Sequence, residues 1–139
     1  MSNALCSVVK GKQISVFLDD KPGTLANVAA VLGSHHINIY ALSLAEGIGH
    51  GYVRLVVNKH DEARQILHDA GELVMERDVL LLELSNQPGS LGVIAQVLSE
   101  KGINLDYAYC AGGPSVDKGL IVIKVDDTDK ALEVLSTTH

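Results

Sequence analysis

The chain is one segment used twice. Pro22-Gly23-Thr24-Leu25 returns as Pro88-Gly89-Ser90-Leu91, 66 residues later. At that offset Ala29, Val31 and Leu32 meet Ala95, Val97 and Leu98, and Ile37-Asn38-Ile39 meets Ile103-Asn104-Leu105. From 22 to 32, six of eleven residues are identical with their counterparts, where average residue usage gives about one match by chance. The register then slips by two: residues 51–57 align with 119–125, and the extra pair lies in the loop at 112–118, where insertion costs little. A tandem duplication of this length requires each copy to bury its own apolar face or to share it with its neighbour.

Each copy reads in the same order. Ile14, Val16 and Leu18 alternate with other residues, and 79–84 is a β-rich run, so both segments are expected as strands. Pro22 and Pro88 end those strands, and Thr24 and Ser90 are expected to cap the helices that follow. Leu25, Val28 and Leu32 in one helix, and Leu91, Ile94, Val97 and Leu98 in the other, form apolar faces. Gly102 is expected to end the second helix in a left-handed conformation, with His36 in that place in the first. Residues 37–45 and 103–111 read as the next strands. Gly47, Gly49 and Gly51 mark a turn, and 52–57 returns as a strand. Asp61 and Thr128 are expected to cap short second helices.

The pattern is strand, helix, strand, strand, helix, twice. Residues 72–77 supply one more strand for the first copy, whereas the second ends its pattern without one. Residues 5–10 stand 66 positions before 71–76, so this segment is expected to serve as the missing strand, with Gly11 turning it into a hairpin with 14–18. The expected division is 5–77 and 78–139.

Composition narrows the function. Eleven basic against seventeen acidic residues leave a net charge of −6, and no local basic patch offsets it, so nucleic acid is not an expected partner. The longest apolar runs are far too short to cross a bilayer. Neither a secretory leader nor a cysteine framework is evident, with Cys6 and Cys110 alone and far apart, so a cytoplasmic location and buried, inert thiols are expected.

Two units that each enter a helix through a Pro-Gly-x-Leu turn, and a strand through an Ile-Asn step 16 residues after the proline, resemble tandem ACT domains. The resemblance covers residues 14–135. It implies an α+β fold of two ferredoxin-like βαββαβ units, each an antiparallel sheet with both helices on one face. It also implies regulatory binding of a small molecule, most often an amino acid, at the interface between units. The chain departs from that pattern in lacking a glycine before Ile37 and a final strand in the second unit.

The residues of the turn suit such a ligand. Gly23 and Gly89 let a small molecule approach the backbone, and the helix N-terminus behind them favours a carboxylate. Asn38 and Asn104 carry a donor and an acceptor on one short side chain. The first turn carries Asp19-Asp20, suited to an ammonium, whereas Asn86 stands in a neutral second turn that is expected to receive the carboxylate end. The candidate ligand-binding residues are Asp19, Asp20, Pro22, Gly23, Thr24, Leu25, Asn38, Asn86, Pro88, Gly89, Ser90, Leu91 and Asn104. Tyr40, Leu42, Asp106, Tyr107 and Tyr109 are candidates for the side-chain end of the site.

No catalytic constellation emerges. His35-His36 cannot face one site from a helix, and His60 and His68 have no carboxylate at a ligand spacing, so neither a metal nor a cofactor is expected. The run Asp126-Asp127-Thr128-Asp129 lacks the glycine and glutamate of a calcium loop. The expectation is a non-catalytic amino-acid sensor, a homodimer whose output is a metabolic enzyme. The alternative is a regulatory or interaction subunit of such an enzyme that binds no small molecule.

Overall fold

The computed structural model describes residues 4–46 and 50–137. It contains β1 (Leu5–Asp19), α1 (Thr24–Ser34), β2 (Ile39–Glu46), β3 (His50–Val57), α2 (His60–Asp69), β4 (Val74–Ser85), α3 (Ser90–Glu100), β5 (Leu105–Ala111), β6 (Lys118–Val125) and α4 (Thr128–Ser136). The turn expected at Gly47 and Gly49 lies outside the described residues. The chain divides into two compact units, one of Lys12–Arg77 and one that joins the residues up to Gly11 with those from Asp78 onward.

In the Lys12–Arg77 unit the strands lie in the order β2, β3, β1, with β4 beyond β1. β3 runs antiparallel to both neighbours, pairing Val16 with Val53 on one side and Leu42 with Leu55 on the other. The Phe17 N–H donates to the Leu73 carbonyl at 3.0 Å where the chain enters β4. Alternation sends Ile14, Val16, Leu18, Val53, Leu55 and Val57 to one face, where they meet Val28 and Leu32 of α1 and Ala63 and Leu67 of α2. Both helices therefore cover the same side of the sheet.

The second unit repeats this plan. β4, β6 and β5 are antiparallel neighbours, with Leu82 opposite Ile121 and Ala108 opposite Ile123. The first part of β1 lies beside β4, where the Ser85 N–H donates to the Ala4 carbonyl at 2.8 Å and the Ser7 hydroxyl to Glu83 at 2.9 Å. Lys10 adds ion pairs to Asp129 at 3.0 Å and Asp78 at 3.7 Å, and these carboxylates raise its pKa, the Asp129 hydrogen bond most. The core sets Leu80, Leu82, Leu84, Ile121, Ile123 and Val125 against Ile94, Leu98, Ala131 and Leu135, with Leu5 joining them.

Several local expectations are corrected. Gly11 makes no hairpin: β1 runs through it as a single strand of 15 residues, and 74–85 is likewise one strand. The caps of α1 and α3 are Gly23 and Gly89, at φ 93° and 88°, not Thr24 and Ser90. Those angles match the third position of a type II turn, which a glycine after proline adopts without strain, so the hydroxyl residue is displaced into the first helical position. α2 is preceded by Lys59 and α4 is capped by Asp127, whose carboxylate accepts from the Lys130 N–H at 3.0 Å. His36 and Gly102 are left-handed as expected, at φ 59° and 70°. Both cysteines are exposed rather than buried.

β2 and β5 share an irregularity that the alternation pattern conceals. Register shifts between Ile39 and Ala41, and between Leu105 and Tyr107, insert Tyr40 and Asp106 as extra residues. Each bulge reverses the parity of the strand beyond it, so Leu42 and Leu44 lie on the helix-bearing face yet remain 40% and 59% exposed at the sheet's edge.

Candidate functional site

Each strand-to-helix turn opens on a cleft. In the Lys12–Arg77 unit it occupies about 340 Å³ and is walled by Leu18, Asp19, Asp20 and Lys21 at the strand exit. Gly23, Thr24, Leu25 and Ala26 of the turn and helix, and Leu44, Ala45, Glu46, His50 and Gly51 of the β2 and β3 ends, complete it. In the second unit the cleft holds about 280 Å³ between Leu84, Ser85, Asn86, Gln87, Ser90 and Leu91 on one side and Cys110, Ala111, Gly112, Gly113, Val116, Gly119 and Ile121 on the other. Leu18 and Leu84, Asp19 and Ser85, Asp20 and Asn86, Thr24 and Ser90, Leu25 and Leu91, and Leu44 and Cys110 are repeat partners. The duplication thus builds the same concavity twice.

The chemistry of the two differs. The first is lined by the acids Asp19, Asp20 and Glu46, with Lys21 and His50. Lys21 lies 4.0 Å from Asp19, both side chains well exposed. The second has no charged side chain in its wall. Thr24 donates its hydroxyl to the carbonyls of Asp19 and Lys21, at 3.2 and 3.3 Å, and so ties the first turn together. Its partner Ser90 is only 9% exposed, and its hydroxyl makes no hydrogen bond among the described residues.

The expected site residues divide accordingly. Asp19, Asp20, Gly23, Thr24 and Leu25 converge on one cleft, and Asn86, Ser90 and Leu91 on the other. Asn86 also works within the protein: its side-chain amide donates to the Val116 carbonyl at 2.8 Å and its backbone N–H to the Asp117 carbonyl at 2.9 Å, which fixes the β5–β6 loop as a wall. Leu91, placed on an apolar helix face by its spacing, is 47% exposed and lines the cleft instead of the core. Pro22 and Pro88 shape the turns without lining either cleft, and Gly89 borders the outer surface of α3 beside Gly92 and Val93.

Asn38 and Asn104 lie elsewhere. Each precedes the start of its strand, whereas the clefts begin six residues further on, about 20 Å away at the usual rise per residue. Their backbone N–H groups donate to Asn58 Oδ1 at 3.0 Å and Asp126 Oδ1 at 3.2 Å. Tyr40, Leu42, Asp106, Tyr107 and Tyr109 line neither cleft. The wall residues Cys110, Glu46, His50 and Val116 escaped the sequence reading; comparison of Leu44 with Cys110 across the repeat was the available signal.

A second cluster joins α2 to β4. Ligand-type atoms of His60, Asp61 and Glu76 lie within 4.8 Å of one another, a carboxylate that residue spacing did not reveal. The Glu76 oxygen is already engaged by His60 Nε2 at 2.6 Å and Arg64 Nε at 3.2 Å, so the group serves as an ion-paired tether. The His60 hydrogen bond holds the Glu76 carboxyl below its ordinary pKa, against the opposing effect of burial.

Comparison with known proteins places these features in context. The family described as the ACT domain pair matches residues 9–139. A solved protein from Bacteroides thetaiotaomicron is 33% identical, with a TM-score of 0.86 over 93% of this chain and 88% of that one. The regulatory subunit of aspartate kinase from Thermus thermophilus, in its ligand-free form, shares the fold at a TM-score of 0.71 and 18% identity, over 96% of this chain and 97% of its own. The corresponding subunit from Thermus flavus gives a TM-score of 0.64 at 18% identity, over 96% and 97% of the two chains. The search of curated proteins returned no match. Among the described residues no helix is long and apolar enough to cross a membrane. With its duplicated βαββ-α units, its paired Pro-Gly turns and a family match over nearly its whole length, the chain belongs to the ACT domain pair family.

Proposed function

We propose that the protein is a non-catalytic regulatory sensor that binds a small molecule, an amino acid, at a strand-to-helix turn. The observation that supports this reading is the cleft built twice at equivalent positions, each beside a helix N-terminus that no side chain among the described residues caps. Such an end offers free N–H groups and a favourable dipole to a carboxylate. A ligand signals only if it binds two arrangements with different affinity, so the output is a change in association with a second copy of the chain or with a metabolic enzyme.

A second reading has its own support. Leu42 and Leu44 of β2 are 40% and 59% exposed, and among the described residues β2 is paired on one side only. An unprotected edge with apolar side chains suits docking to another polypeptide, as in an interaction subunit that needs no small molecule.

Thermal denaturation of the purified protein against the twenty amino acids separates the two. A ligand at about a hundred times its dissociation constant adds about 2.7 kcal/mol, which raises Tm by several degrees in a chain this long. Stabilisation by one amino acid or a chemically related group supports the sensor. No shift with any of them overturns it and favours the docking subunit.

A further inference from the structure

We infer that the two clefts are not equivalent: the ligand enters the one walled by Ser90 and Cys110, and it is a monocarboxylate with a small, uncharged aliphatic tail. This rests on the proposal that the chain binds a small molecule at a turn, and it names both the cleft and the ligand class.

The duplication supplies an internal comparison. At the first turn the Thr24 hydroxyl is committed to two carbonyls of its own chain. At the second, Ser90 is nine-tenths buried, lines the cleft, and has no acceptor or donor for its hydroxyl among the described residues. The Ser90 oxygen is open to the cleft and not among the sealed, unpartnered polar atoms, so it is available to hydrogen-bond a molecule that enters. Ser90 is also the first residue of α3, where N–H groups lack intrahelical acceptors. A carboxylate placed there accepts from the hydroxyl and from the helix end together. At the first turn the three carboxylates of Asp19, Asp20 and Glu46 outnumber the one lysine, Lys21, and oppose the same anion.

The walls define the tail. Leu84, Leu91, Val116 and Ile121 supply the apolar walls of the cleft of about 280 Å³, and no charged side chain joins them. A charge carried at the end of the tail would be desolvated against these walls without a counter-ion. Asn86 enters this scheme as a positioning residue, holding Val116 in the wall through its 2.8 Å hydrogen bond.

The full chain carries a built-in reporter. Cys110 lines the cleft, Cys6 does not, and both are exposed. Alkylation by iodoacetamide is followed at each cysteine by mass spectrometry, with thermal denaturation in parallel, using L-valine, L-isoleucine, L-aspartate and L-lysine. Valine or isoleucine is expected to raise Tm and to slow labelling of Cys110 severalfold while leaving Cys6 unchanged. Ser90→Ala is expected to weaken binding about tenfold or more, and Thr24→Ala to change it less than twofold. Isobutyrate, included as the chain without its ammonium, either protects Cys110, assigning the site to simple carboxylates, or does not, assigning it to amino acids; both support the cleft. Stabilisation without protection of Cys110, equal protection by aspartate or lysine, or loss of binding in Thr24→Ala but not Ser90→Ala overturns this inference and leaves the sensor reading standing. No stabilisation by any of the twenty amino acids or by isobutyrate overturns both.

Discussion

Gly51 and Gly119 occupy equivalent places in the repeat, yet alanine should behave oppositely at the two. A Cβ on Gly51 would sit 2.7 Å from the Ala45 carbonyl oxygen and 3.6 Å from the Glu46 Cα, both on the neighbouring strand β2. The closest approach is backbone, and Glu46 is the register partner of Gly51, so relief requires β2 and β3 to part by several tenths of an ångström at the mouth of the first cleft. Overpacking of this kind costs about 1–3 kcal/mol. The lost backbone freedom of the unfolded chain returns about 0.4–1 kcal/mol, so Gly51→Ala should be less stable by about 1–2 kcal/mol. On Gly119 the nearest atom, the Ala111 carbonyl oxygen, is 4.0 Å away, an ordinary contact. Gly119→Ala should therefore be neutral or more stable by up to about 1 kcal/mol. Urea denaturation of the two variants beside the parent measures the difference, and thermal midpoints should differ by about 3–8 °C. Equal midpoints for the two variants would refute the argument that the β2–β3 approach at Gly51 excludes a side chain.

Other expectations follow from the same geometry. Gly23→Ala and Gly89→Ala force an L residue to φ near 90° and should each cost about 1–2 kcal/mol, read from chemical denaturation. Leu32→Ala and Leu98→Ala, in side chains that are 0% and 1% exposed, should each cost about 2–5 kcal/mol by the same assay. Because the folded pKa of Glu76 is depressed, its contribution is complete above the unfolded value of about 4.3 and is lost as pH falls through the folded one. The stability gap between the parent and Glu76→Gln should therefore narrow from about pH 6 to about pH 3; a constant gap would contradict the tether. Asn86→Asp removes the amide donor to Val116, and limited proteolysis should then cut faster between 112 and 117.

The duplication made most of the fold legible. Two in-register copies of Pro-Gly-x-Leu, helical spacing at Val28 and Leu32 and at Ile94 and Leu98, and β-rich runs around them specify the order of elements through short-range chemistry. The left-handed residues at His36 and Gly102 were legible for the same reason, since a helix end has few ways to turn. Whether Gly11 bends or continues a strand was not, because Val9, Gly11 and Gln13 carry no local signal that distinguishes the two. That outcome depends on pairing with residues more than sixty positions away.

The candidate site divides along the same line. Sequence alone determined that two turns of one type exist, each with a glycine after its proline, and that one turn is acidic and the other neutral. Only the tertiary structure decided what each turn faces. It brought Cys110 and Val116 to Ser90, engaged Asn86 with the opposing loop, left Asn38 and Asn104 at the far ends of their strands, and joined Glu76 to His60 and Arg64. It also separated Gly51 from Gly119, two residues that the repeat makes identical. Local conformation follows from a residue and its near neighbours. A cleft is defined by the strands and loops across from it, whose approach is set by packing of the whole unit.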